Sequence, residues 1–141
     1  MRRLLDCIVL LAVAAIFLLT VSCGGRSMMM MSTRQLESIM VSPASADAKN
    51  SNGMVQFTAM GTFNTSPMSA TPQVLWSIGS PFSSQPAPAG VSIDANGLAH
   101  CSGFSGMVSI MATAPMDPGI PVSQMSTMTM NVSGMAQLTC P

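Results

Sequence analysis

Few residues in this chain are equipped for chemistry. The sequence holds one histidine, His100, and four cysteines, Cys7, Cys23, Cys101 and Cys140. No Cys-His-carboxylate set or paired-carboxylate motif accompanies His100, so neither nucleophilic nor general acid–base catalysis has its supporting groups. The run Asp94-Ala95-Asn96-Gly97 begins like a calcium loop but lacks the later acidic ligands of a calcium cage, and it reads as a turn. Methionine is the abundant donor, with 16 in the chain. Thioethers are soft ligands suited to Cu(I). Met125, Met128 and Met130 sit at close spacing, and Met28 to Met31 form a second run. Copper clusters of this type commonly include histidine, which this set lacks. The remaining methionines are scattered over strand-like segments, where a flexible apolar side chain fills gaps. Met54, Met60 and Met111 fall opposite the inward faces of their strands, and together they would form an apolar patch for a partner. The expectation is a protein without catalytic activity or cofactor, with a Cu(I) site at Met125, Met128 and Met130 as the alternative.

The role of the cysteines depends on where the chain is sent. Arg2 and Arg3 precede an apolar run from Ile8 to Leu19. That run is shorter than the roughly 20 residues needed to span a bilayer, so it reads as the core of an export signal. Leu19-Thr20-Val21-Ser22-Cys23 resembles a bacterial lipobox, in which cleavage precedes a cysteine that receives lipid. The resemblance implies a signal peptide over residues 1–22 and a lipidated Cys23 that ties the protein to a membrane. Gly24 lacks the Asp of an inner-membrane retention signal, so the implied address is the cell envelope, at the outer membrane or cell surface. Cys7 leaves with the signal and Cys23 goes to lipid. Cys101 and Cys140 then remain in an oxidising compartment, where a disulfide is the default. Residues 23–35, rich in Gly, Ser and Met, read as a flexible tether.

Composition narrows the rest. The chain is 7% charged with a formal net charge of zero. Beyond the signal peptide, Arg26, Arg34 and Lys49 face Glu37, Asp47, Asp94 and Asp117, so no basic patch exists to attract nucleic acid. At 48% hydrophobic, the chain is too apolar for a disordered segment. Leu36 to Val41 reads as a first strand ended by Ser42-Pro43, and Ala44 to Gly53 as turn and loop. Val55 and Phe57, then Val74, Trp76 and Ile78, then Val108 and Ile110, each alternate with outward residues and make up the predicted core. Trp76 is its expected nucleus, buried between two sheets. Met125 to Val132 reads as a strand, Ser133-Gly134 as a turn, and Ala136 to Thr139 as a last short strand leading to Cys140. About eight short strands with abundant Gly and Pro define an all-β sandwich domain over residues 36–140.

Four segments share a pattern. They are L-x-x-I-x-V-x-P from Leu36 to Pro43, VQFTAMGTF from Val55 to Phe63, VLWS from Val74 to Ser77, and GLAHCSGFSGMVSIMATA from Gly97 to Ala114. In this order they resemble the bacterial immunoglobulin-like domain, group 2, over roughly Leu36 to Val132. The resemblance implies an immunoglobulin-like β-sandwich with Trp76 in its core, Ala99 and Cys101 pointing inward and His100 outward. The Cys101/Cys140 pair and the frequent methionines depart from the family pattern. Members act as stalk, spacer or adhesion modules on cell surfaces. The implied function is a non-catalytic envelope lipoprotein with a structural, spacer or adhesion role toward an unidentified protein or surface partner. A periplasmic Met-rich Cu(I)-binding protein is the alternative. Phe82, in a loop, is the one aromatic placed to serve as a carbohydrate platform.

Overall fold

A computed structural model describes residues 33–141. The expected signal peptide over residues 1–22, the expected lipidation site Cys23 and the Met28–Met31 run lie outside the described residues. Ten strands follow in order: β1 Leu36–Ser42, β2 Ser45–Asp47, β3 Met54–Gln56, β4 Thr58–Phe63, β5 Ser69–Ala70, β6 Leu75–Ile78, β7 Val91–Ile93, β8 Leu98–Cys101, β9 Gly106–Pro115 and β10 Asn131–Cys140. They form sheets ordered β1-β4-β5, β3-β8-β7 and β2-β10-β9-β6. β3 and β4 are one run of chain interrupted at Phe57, whose N–H donates to the Gly97 carbonyl at 2.8 Å. The first two sheets therefore continue into one another and face the four-stranded sheet.

Period-two alternation builds the core between these layers. On β4, Ala59 and Phe63 are buried while Thr58, Met60 and Thr62 are exposed; on β9 and β10, Val108, Ile110, Ala112, Ala136 and Leu138 turn inward. Of the predicted core, Phe57, Val108 and Ile110 are buried, whereas Val55, Val74, Trp76 and Ile78 are half-buried and pack against the cluster from its margin. The full enclosure expected of Trp76 is thus corrected. Its strand, β6, is the edge of its sheet and pairs only with β9, so one side of the indole stays open.

Three further expectations are corrected. Ala44 to Gly53 is more than a loop: Ser45–Asp47 pairs in parallel with β10 through Gln137, Leu138 and Thr139. A 3-10 turn at Ala48–Asn50 follows, and Asp47 caps it by accepting from the Lys49 N–H at 2.8 Å. Met125 to Met130 is not a strand. There Thr129 Oγ1 donates to the Ser126 carbonyl at 2.8 Å, and Asn131 Nδ2 donates to the same oxygen at 2.9 Å. These local bonds draw the backbone into turns. The last strand is one element through Ser133-Gly134, where the glycine serves close approach: a Cβ on Gly134 would collide with the Ile39 carbonyl of the facing layer.

Residues 33–35, assigned to the end of the tether, are docked on the domain. Gln35 N–H donates to Asn64 Oδ1 at 2.8 Å, and Asn64 N–H donates to the Gln35 carbonyl at 3.0 Å.

Candidate functional site

Cys101 ends β8 and Cys140 ends β10, so their side chains meet across the two layers. They form a disulfide with a Cα–Cα distance of 5.7 Å. The alternation that buries Ala99 and Cys101 also turns Leu98 and His100 outward. His100 lies opposite Met54 on β3 and Ser92 on β7. Among the described residues, no group of three or more His, Cys, Asp or Glu side chains is placed to hold a metal ion.

The Asp94 turn is fixed by its own carboxylate. Asp94 Oδ1 accepts from the Leu98 N–H at 2.8 Å and the Asn96 N–H at 2.9 Å. The Leu98 N–H, more than any other partner, holds the Asp94 carboxyl below its ordinary value; burial opposes it, and the bonds from Asn96 and Gly97 add to the lowering. All its partners lie within the turn, which makes this group structural.

The methionines are placed differently from the gap-filling role expected of them. None is buried among the described residues. Met40 on β1 stands directly opposite Met60 on β4, and Met111 on β9 opposite Met135 on β10, all facing away from the core. Met125, Met128 and Met130 fall in the segment before β10, with Met125 half-buried and Met128 and Met130 at 96% and 75% exposure. Phe82 is exposed in the loop after β6.

Two concave surfaces share a wall at Thr71, Pro72 and Gln73, the chain leading into β6. A groove of about 390 Å³ runs along Trp76, Val74 and Phe57 to Asn96 and Val122. A cleft of about 560 Å³ opens between Arg34, Phe63, Pro72 and the segment from Pro118 to Val122. In that cleft the Arg34 guanidinium lies 4.0 Å from the centroid of the Phe63 ring and donates through Nη2 to the Pro67 carbonyl at 2.9 Å. Its Nε is buried without a hydrogen-bond partner among the described residues. Sequence alone does not announce this cleft, because Arg34 falls within the 23–35 stretch that reads as a tether. The available signal was a lone cation two residues before the first apolar strand position, Leu36. Compared with known proteins, the chain matches no family model and no curated relative.

Proposed function

We propose that the protein is a lipid-anchored envelope module, immunoglobulin-like in its sandwich, that works by presenting its surfaces to a partner rather than by catalysis. The observation that carries this reading is the Cys101–Cys140 bridge between the two layers. A structural disulfide in a small domain belongs to an oxidising compartment, which agrees with the export signal and lipobox of the N-terminus. Strand connectivity supports the immunoglobulin-like part. The N-terminal chain divides between the layers, β1 pairing with β4 in one and β2 running parallel to β10 in the other. The order of the segments resembling the group 2 bacterial domains adds to it.

Anchoring tests the reading most directly. The full chain expressed in a bacterium should enter the detergent phase on phase partitioning and carry acyl mass on the peptide beginning at Cys23. Cys23→Ser should remove that mass and leave the protein uncleaved or aqueous. Wild-type protein found in the aqueous phase, with no acyl group, overturns the anchor.

A further inference from the structure

The arrangement of sulfur in this domain separates two populations. Cys101 and Cys140 are joined and buried, so they present no thiol. Every described methionine lies at least partly in solvent. Met40, Met60, Met107 and Met135 stand on the outer faces of the two layers at 69%, 44%, 68% and 67% exposure. They occupy outward strand positions that an ordinary sandwich fills with threonine, serine or lysine, while the packed interior, apart from the bridged cysteines and Thr113, is made of Ala, Val, Ile, Leu and Phe. A thioether adds nothing to a core it does not enter. What it brings to a surface is reactivity toward two-electron oxidants.

We infer that the outward methionines form a sacrificial and regenerable oxidation surface, whose substrate class is hypohalous acid and peroxide. With hypochlorous acid, each thioether sulfur gains one oxygen and loses two electrons, and the oxidant leaves as chloride and a proton. With hydrogen peroxide the oxygen is transferred in the same way and water leaves. Methionine sulfoxide reductases return the thioether at the expense of two thiols, which become a disulfide as water is released. Sulfoxide is polar, and in a core it would break packing. At Met40, Met60, Met107 and Met135 it faces water, so the product is compatible with the folded domain. The half-buried Trp76 and the exposed His100, which stands opposite Met54, are the oxidisable side chains with which the methionines would compete for oxidant. The inference rests on burial alone and does not depend on the lipid anchor.

The purified full chain is titrated with hypochlorous acid and each methionine is followed by peptide mass mapping. Met40, Met60, Met107 and Met135 should convert to sulfoxide while the far-ultraviolet circular dichroism and a cooperative melt persist. Treatment with the two epimer-specific reductases and a thiol should then restore the original masses. Loss of cooperative unfolding at the dose that converts these four residues overturns the inference, as does failure of the folded, oxidised protein to be repaired. A variant carrying Met40→Leu, Met60→Leu, Met107→Leu and Met135→Leu keeps apolar bulk at the same positions and removes the outer-face share of the shielding, while Met54, Met68, Met128 and Met130 stay in both proteins. At a dose that leaves Trp76 fluorescence intact in the wild type, the variant should lose it. Equal loss in both proteins rules out sacrifice.

Discussion

The indole of Trp76 rests against the backbone of Gly97: a Cβ at that glycine would lie 2.9 Å from the Trp76 Cε2 atom and 2.5 Å from the Phe57 carbonyl oxygen. Gly97 also has φ of +84°, in the left-handed region that L side chains rarely adopt. One residue thus closes the Asp94 turn and makes room for the tryptophan. Gly97→Ala should destabilise the domain by about 1–3 kcal/mol from backbone strain alone, with the steric conflict added. Urea unfolding followed by Trp76 emission measures it. A neutral result would contradict both the left-handed backbone at Gly97 and the close approach of Phe57 and Trp76 to it.

Trp76→Ala should cost less than the roughly 3–5 kcal/mol expected for a fully buried aromatic, because the side chain is only half-buried at an edge strand. About 2 kcal/mol is the expected loss, read by denaturant unfolding with circular dichroism. Wild-type emission should fall between that of a buried and that of a hydrated indole.

Removing the bridge by the paired change Cys101→Ser and Cys140→Ser opens a covalent loop of sequence separation 39. The chain-entropy estimate for a loop of this length is roughly 4 kcal/mol, lowered by any native strain. The variant should melt at lower temperature, and wild-type protein prepared without reductant should resist alkylation at both cysteines. Free reaction at either position would contradict the bridge.

Asp94 predicts a pH dependence with a definite sign. Its folded-state carboxyl is held below the ordinary value of 3.8. Its contribution to stability is therefore present above that value and is lost as pH falls through the lowered folded one. Asp94→Asn should be less stable than wild type at neutral pH, and the gap should close on acidification below the ordinary aspartate range. A gap that persists undiminished in strong acid would assign the effect to something other than the charge.

For copper, replacing Met125, Met128 and Met130 with leucine should leave the Cu(I) affinity of the reduced full chain unchanged in competition with a chromogenic chelator. The turns that hold this segment leave Met128 and Met130 pointing into solvent. A sub-micromolar affinity that disappears in the triple variant would establish the copper reading instead.

Alternation made most of the sandwich legible in the sequence. Phe57, Val108 and Ile110 proclaim their faces because their neighbours are polar or outward methionine. β2 escaped notice because Ser45, Ala46 and Asp47 carry no strand preference, and their pairing is made by backbone groups whose partners lie in the distant β10. Met125 to Met130 mimics a strand by interspersing Met with Ser and Thr, yet those hydroxyls turn the backbone through local bonds. Gly134 resembled punctuation when its true role was set by Ile39 in another strand. The Arg34 cleft was hidden for the same reason, since its walls come from segments far apart in sequence.

The parallel alignment of β2 with β10 bears on how the domain would carry tension. A pull on the chain ahead of β2, opposed by a grip on the C-terminal end of β10 in the same sheet, slides these two strands lengthwise past each other. The bonds of a parallel pair are evenly spaced and slanted between the strands, so such a slide strains them together in shear rather than opening them one by one. β1 meets the same load first, along its antiparallel seam with β4 from Leu36 to Ser42. At the other end, the Cys101–Cys140 bridge hands the force on Cys140 to β8 through a covalent bond, so β10 cannot peel away from its tip. A domain pulled from its N-terminal side would behave as a link that resists until several rows of bonds fail at once.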